Sequence, residues 1–310
     1  MSKMASNAIH ILFGATSDYL PYAAVAARSV AEHAPTRPIH IHFLYADIVR
    51  PISDAQRKSM FEHARHSFDD MPVTWHFYDI SEHLPLLTGQ NIGMWGTEIS
   101  MTHYFYLLAP LVLSDDVKRV IYLDTDMIVN CDLSDVYDMD MGNNLLAMGA
   151  PRGFEEMGDD VSNSGFVVLN LELWRTENTL ETLLAFGRQL PRYAFCDQYL
   201  LYQYFTKRNP ERLQLVAREY NMFPQCFPEI PISQIKVLHF TGYNHTKAWH
   251  DVDGRQRGSY LWWRHAQHTC FYQRFLFDIL NRLVDDRIPV AIAPKQRHHS
   301  FWWHLRHMKF

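Results

Sequence analysis

Cysteine is scarce in this chain, and long apolar runs are missing altogether. The four cysteines, Cys131, Cys196, Cys226 and Cys270, lie far apart without metal-type spacing, which suits reduced packing thiols rather than a disulfide framework or a zinc site. No stretch approaches the roughly 20 consecutive apolar residues of a membrane-spanning helix. Residues 1–10 show no basic start followed by a sustained apolar run, so no secretory signal is expected and the expected location is the cytosol. Positive charge is also short, the net charge being −5. Five basic residues and no acid follow Asp286, leaving about −10 for the rest, a balance that argues against a nucleic-acid-binding body. Internal repeats and low-complexity tracts are absent too. What is there, 310 residues of which 47% are apolar and 20% charged, suits one large α/β domain with an appendage, or two small domains.

The most informative stretch is Val120-Ile121-Tyr122-Leu123-Asp124-Thr125-Asp126-Met127-Ile128-Val129, two carboxylates one residue apart inside an apolar run. Ionised carboxylates are unfavourable in such surroundings unless a cation or a dense set of donors meets them. Residues 120–123 read as a fully buried strand, so Asp124 and Asp126 leave its carboxyl end, where open α/β sheets place their ligands. On extended chain the i, i+2 spacing puts both side chains on one face. Two hard oxygens then converge on a point suited to a divalent metal that keeps other positions for water and substrate phosphates. The plain alternative is a strand end with two solvated acids.

Taken in order, residues 9–13 form a short apolar strand that breaks into Gly14-Ala15-Thr16-Ser17-Asp18-Tyr19, and Pro21 starts a helix to about residue 33. Residues 39–45 and 73–78 read as further strands with a helix over 53–68 between them, an alternation that means a mostly parallel sheet. Residues 84–96 have loop chemistry. A helix over 98–113, bent at Pro110, precedes the paired aspartates. Residues 132–140 read as a loop with a short helical turn, 145–150 as a strand, 152–162 as a loop and 166–170 as a strand. Helical patterns then run to 188 and over 197–205, and 235–240 is the last clear strand, with His239 near its end.

Several segments together resemble glycosyltransferase family 8: Thr16 and Tyr19 after the first strand, Tyr122-Leu123-Asp124-Thr125-Asp126, Asn163-Ser164-Gly165-Phe166 with Asn170-Leu171, Asp197-Gln198, and His239-Phe240-Thr241-Gly242 with Lys247-Ala248-Trp249-His250. The resemblance covers about residues 8–255 and is nearest to bacterial lipopolysaccharide galactosyltransferases and glucosyltransferases. It implies an α/β GT-A fold, a mostly parallel central sheet flanked by helices, in a catalytic domain over 1–257. It also implies a retaining, metal-dependent enzyme that moves an α-linked galactose or glucose from a UDP-sugar to a hydroxyl of lipopolysaccharide or another surface glycan. Asp124, Asp126 and His239 are the implied metal ligands, although one of 18 histidines taken alone is as well read as a hydrogen-bonded core residue. An imidazole in the set favours Mn²⁺, with Mg²⁺ the alternative. A bridging cation would neutralise charge growing on UDP as it leaves.

The same resemblance makes Ala15, Thr16, Tyr19 and Thr125 donor-contacting residues, with the Tyr19 ring on uracil. Lys247 becomes the point charge on the diphosphate, and Gly242 a place where backbone approaches a phosphate. Asn163, Asp197 and Gln198 hydrogen-bond the hexose near its anomeric carbon, although Asp197 is also a good helix cap. Retention could use a carboxylate nucleophile on the opposite face. The family's geometry puts Gln198 there, and an amide is a poor nucleophile, so attack by the acceptor from the face that UDP leaves is expected, with the protein positioning the partners and stabilising charge.

The chain departs from the family pattern at several positions. Tyr106 stands where close relatives carry Arg, Glu98 replaces a His, Thr16 stands for a frequent Asp, the loop between Gly242 and Lys247 is about two residues longer, and Ala248 replaces Pro. Residues 258–310 form a helical, aromatic extension ending in a basic-aromatic tail with Phe301, Trp302, Trp303 and Phe310. Such a mixture suits peripheral contact with the inner face of the cytoplasmic membrane near a lipid-linked oligosaccharide acceptor. A disordered tail, or one packed on a partner, is the alternative. Two competing functions are a phosphatase of the haloacid dehalogenase type, which would place its Asp-x-Asp on the first strand, and a non-catalytic UDP-sugar-binding protein.

Overall fold

Period-two alternation of apolar residues builds the first three strands, β1 (Ile9–Ala15), β2 (Ile39–Tyr45) and β3 (Val73–Asp79), with helix α1 (Leu20–His33) after β1 and α2 (Asp54–His66) after β2. The computed structural model describes residues 8–34, 36–90, 101–150, 161–190, 196–241, 247–251 and 254–287. Pro21 lies in the first turn of α1, where its missing N–H removes no helical bond. Ser53 caps α2 through a reciprocal box with Gln56. The strands pair parallel and in register, Ile9 beside Ile39 and Ile39 beside Val73. Aromatic rings seal α2 to one face of the sheet, Phe61 stacking on Phe77 with centroids 3.9 Å apart. The alanine-rich α1 is buried along most of its length, because small side chains let it lie close between its neighbours.

The opposite face of the same strands carries a layer of imidazoles. His10, His40, His42 and His76 share one parity of their strands, and their rings lie within 20° of parallel. Nδ1 of His10 is 2.9 Å from Nε2 of His42, and Nδ1 of His40 is 2.9 Å from Nε2 of His76. His42 continues to the Tyr78 hydroxyl at 3.1 Å. Nearer the carboxyl ends of the strands that face turns apolar, with Leu12 and Leu44 under Tyr104, Phe105, Leu107 and Leu108.

Of the span 98–113, the described residues 101–113 do not form one helix bent at Pro110. A 3-10 turn over Phe105–Leu108 gives way to α3 (Ala109–Val112), and Pro110 sits in the first turn of that second piece, so it starts a helix instead of bending one. Glu98 lies outside the described residues. The chain continues through β4 (Arg119–Leu123), β5 (Met127–Val129), α4 (Ser134–Asp138), β6 (Leu146–Gly149), β7 (Phe166–Asn170), α5 (Leu171–Thr176), α6 (Thr179–Gly187) and α7 (Cys196–Leu201). A π-helical turn over Tyr202–Arg208 follows, then β8 (Leu213–Val216), β9 (Val237–His239), α8 (Ser259–Ala266) and α9 (Tyr272–Arg287).

The main sheet has the order β3-β2-β1-β4-β7-β6-β8. It is mostly parallel, as expected, with β7 antiparallel to both its neighbours. β5 and β9 form a second, two-stranded sheet. Because β1 leads outward to β2 on one side and pairs with β4 on the other, the carboxyl ends of β1 and β4 frame the crevice where such sheets bind ligands. The chain divides into two compact units, the first ending at Tyr272 and the second beginning at Gln273. Within the first, Trp249 and Trp262 of α8 pack against Tyr22 of α1. The tail beyond residue 287 lies outside the described residues. Among the described residues no helix is long and apolar enough to cross a membrane.

Candidate active site

The paired aspartates lie in a turn, not on extended chain as their spacing suggested. Strand β4 stops at Leu123, the Met127 N–H donates to the Asp124 carbonyl at 3.3 Å, and β5 begins at Met127. Two strand pairings hold this turn. The Asp124 N–H donates to the Gly165 carbonyl just ahead of β7, and the Phe240 N–H just after β9 donates to the Asp126 carbonyl, each at 2.9 Å. The register of β5 with β9 puts Met127 opposite His239, which brings the imidazole to the two carboxylates. Asp124, Asp126 and His239 each offer a ligand atom within 4.8 Å of the others. Nε2 of His239 is 3.2 Å from Asp126 Oδ1 and 3.4 Å from Asp124 Oδ2.

Asp126 and His239 are buried and Asp124 is half-buried. Burial alone would discourage charge on Asp126, but Lys247 and His239 outweigh it and hold the carboxyl below its usual range. His239 moves the other way: burial lowers it, while Asp126 and Asp124 raise it further. The Lys247 ammonium is hydrogen-bonded to Asp126 Oδ2. Gly165 leaves the space these groups occupy, since a Cβ there would fall 2.5 Å from His239 Cε1 and 2.7 Å from Asp124 Oδ2. Two hard oxygens, one imidazole nitrogen and a cradle that admits no side chain fit a small divalent cation.

A second group of side chains lies beside this one. Asn163 Nδ2 donates to Gln198 Oε1 at 2.8 Å, Asn163 Oδ1 accepts from the Gly165 N–H at 3.0 Å, and Asn221 bridges Asn163 to Nδ1 of His239. Asp197 and Gln198 are buried on the first turn of α7, which begins at Cys196 in the left-handed conformation, φ 40°. A non-glycine residue held there marks a segment fixed by its surroundings. The Asp197 carboxyl is pushed up to about 6, chiefly by burial, with the Asp124 charge adding to it against His103, Ser164 and Tyr106.

Tyr106, in the place of an expected cation, donates its hydroxyl to Asp197 at 3.0 Å and stacks on Tyr122 with centroids 4.1 Å apart. Tyr122 in turn donates to Asp124 at 2.5 Å. One turn earlier, Nδ1 of His103 is 3.9 Å from Asp197. Desolvation opposes charge on this imidazole, but a hydrogen bond with Cys196 and the Asp197 carboxylate raise its pKa, which favours the protonated ring beside Asp197.

Across the crevice, Ala15 ends β1 and Thr16 is buried, its hydroxyl donating to Asp18 at 2.5 Å. Asp47 fixes this loop by accepting from the Ser17 N–H and hydroxyl at 2.7 and 3.0 Å. Tyr19 presents a ring 44% exposed, and Thr125 is half-buried in the aspartate turn. Gly242 lies outside the described residues. Sequence reasoning missed Asn221, Tyr122, His103 and Asp47. Tyr122 was legible, because it lies in the same motif two residues before Asp124. The other three had no local pattern.

The model of the family described as "Glycosyl transferase family 8" matches residues 10–253. The chain belongs to this family. Glycosyltransferase GlyB of Streptococcus pneumoniae serotype 4 (strain ATCC BAA-334 / TIGR4) is 25% identical over 180 residues, covering 53% of this chain and 42% of that protein. GlyE of the same strain is 29% identical over 182 residues, covering 54% and 41%. The chain thus spans less than half the length of these curated relatives. Among solved structures, an active-site mutant of LgtC superposes with a TM-score of 0.66 at 22% identity, covering 84% of this chain and 96% of that one. LgtC as a galactosyltransferase in complex with donor and acceptor sugar analogues gives 0.63 at 21%, with the same coverage. The fold of this family 8 chain is accordingly GT-A, as the motif resemblance implied.

Proposed function

We propose that this protein is a retaining glycosyltransferase that moves an α-linked hexose, galactose or glucose, from a UDP-sugar to a hydroxyl of a glycan. The observation that carries the reading is the adjacency of two groups of different chemistry: Asp124, Asp126, His239 and Lys247 on one side, and Asn163, Asp197 and Gln198 on the other. The first set suits a diphosphate and its cation, the second a polyhydroxylated ring. When bound, Mn²⁺, or Mg²⁺ in its place, supplies Lewis-acid stabilisation of the departing diphosphate.

The chain's own residues do the rest. The Tyr19 ring takes the uracil face, Ala15, Thr16 and Thr125 line the nucleotide, and Lys247 leaves Asp126 for the diphosphate, with Gly242 in the same loop. Asn163, Asp197 and Gln198 hold the hexose hydroxyls and orient the anomeric carbon. The acceptor oxygen bonds to that carbon from the face that UDP leaves, the bond from carbon to phosphate oxygen breaks, and the acceptor proton passes to the departing phosphate oxygen. An amide at Gln198 suits this course, because it positions the sugar without forming a covalent intermediate. Glucose and galactose differ at one hydroxyl, so a few of these hydrogen bonds set the donor.

The acceptor we infer is lipopolysaccharide core or another lipid-linked oligosaccharide, reached by the cytosolic protein at the inner face of the cytoplasmic membrane. The basic-aromatic composition of residues 290–310 supports that placement. Binding to anionic liposomes should fall when this segment is deleted, and equal binding with and without it would remove the membrane part of the proposal. The enzymatic part is tested by UDP release from a panel of UDP-sugars with Mn²⁺, with EDTA, and with Asp126→Asn. Release from one UDP-hexose, lost in the other two conditions, is expected. Mn²⁺-dependent UDP binding without release from any donor, even with acceptor oligosaccharide present, would point instead to a binding protein.

A further inference from the structure

The hydrogen bonds between His239 and Gln198 have one direction. Asn163 Oδ1 accepts from the Gly165 backbone N–H, a donor that cannot reverse, so the Asn163 amino group faces Gln198 Oε1. Asn221 Nδ2 lies 3.0 Å from the Asn163 backbone carbonyl and 2.9 Å from Asn163 Oδ1, both acceptors, so its amino group belongs on that side. Its oxygen is left facing Nδ1 of His239 at 2.9 Å. An amide oxygen only accepts, so Nδ1 carries a proton and Nε2 is the nitrogen turned to Asp124 and Asp126. Two backbone groups, the Gly165 N–H and the Asn163 carbonyl, therefore set the orientation of three side chains in series.

We propose that Asn221 is the positioning residue of this site. It holds His239 with Nε2 presented to the cation, and through the same amide it holds Asn163, and so the Gln198 carboxamide, in the orientation used by the sugar. Asn221 is 2% exposed and bonds Asn163 and His239 at once. It acts through His239 and Asn163 and is not one of the three candidate ligands, so its effect is indirect, as with other hydrogen-bond partners of metal-bound imidazoles. The inference rests on the metal and sugar roles proposed above.

The test is calorimetric titration with Mn²⁺ alone, alongside donor hydrolysis with UDP-galactose and UDP-glucose. Asn221→Ala loses the acceptor for His239 and should weaken Mn²⁺ binding by about 10- to 100-fold. Asn221→Asp keeps that acceptor but turns an oxygen towards the two Asn163 oxygens. Its Mn²⁺ affinity should stay within about threefold of wild type while kcat for hydrolysis falls by about tenfold or more. The test survives if Asn221→Ala fails to fold, because wild-type kcat in Asn221→Asp, or a loss of about tenfold in its Mn²⁺ affinity, would overturn the proposal by itself. Wild-type Mn²⁺ affinity in Asn221→Ala would overturn the proposal, as would equal loss of affinity in Asn221→Ala and Asn221→Asp. No Mn²⁺ binding by the wild-type protein would instead remove the metal centre itself, a failure distinct from that of the relay.

Discussion

Two sets of buried or half-buried histidines in this molecule live under opposite electrostatics. His239 is surrounded by acids, and Asp126 and Asp124 raise it against the pull of burial. The layer of His10, His40, His42 and His76 meets other imidazoles and the Tyr78 hydroxyl, with no carboxylate bonded to it among the described residues. Burial and the neighbouring imidazoles lower His10 to about 4 and His42 to about 2. The same side chain thus favours its protonated form in one place and is kept neutral in the other. Burial lowers the pKa in both places, and only the carboxylates around His239 reverse it.

The sharpest way to break this comparison is to remove each kind in turn. His239→Gln should lose Mn²⁺ binding and lower donor turnover by about a thousandfold, the equivalent of roughly 4 kcal/mol of charge stabilisation. His42→Leu should leave turnover at the wild-type rate, and a turnover loss there would show that the imidazole layer serves the chemistry. A smaller effect is expected at Asp197. Its folded pKa, about 6, lies above the free value of 3.8, so at neutral pH the ionised carboxylate opposes folding by about 3 kcal/mol. Asp197→Asn should raise the melting temperature at pH 7 while turnover falls by about a hundredfold. Unchanged melting would mean that the carboxyl is better solvated than its burial implies.

The smallest effect is in pH dependence. An imidazole whose folded pKa lies below its free value of 6.5 binds its proton more readily in the unfolded chain. The layer's stability is whole above pH 6.5 and declines as pH falls towards 4 for His10 and 2 for His42. Asp197 works the other way between pH 6 and 3.8, because protonation favours its folded form. Acid unfolding of the wild type should therefore be shallow at first, and His42→Leu should shift its midpoint down by about half a pH unit. An unshifted midpoint would place the acid sensitivity elsewhere.

The sequence made one of these regions legible and hid the other. Asp124, Asp126 and His239 were readable because carboxylates in an apolar run are conspicuous, and because a family pattern carried the distant histidine. The parallel strands were readable from alternation, as at 39–45 and 73–78. Asn221 was not, because its meaning lies in a partner 18 residues away and in the pairing of β5 with β9. Nor was the imidazole layer, since its members come from three strands and meet only when the parallel register is set. The three-residue β5 and β9 were each too short for a periodic signal. The helix expected over 98–113 broke because Pro110 suits a first turn as well as a bend.

Gly165 has a consequence for how this protein can change over generations. Every amino acid except glycine has a Cβ, and at this position that atom would fall among His239, Asp124 and Met127. Every missense step away from glycine therefore meets the same obstacle at its first carbon, whatever the rest of the side chain offers. Drift in the loop before β7 has to pass through changes on either side of residue 165. Lineages that fill this position are expected to have given up the close packing of Asp124 against His239, and with it the cation-dependent reaction proposed for this site.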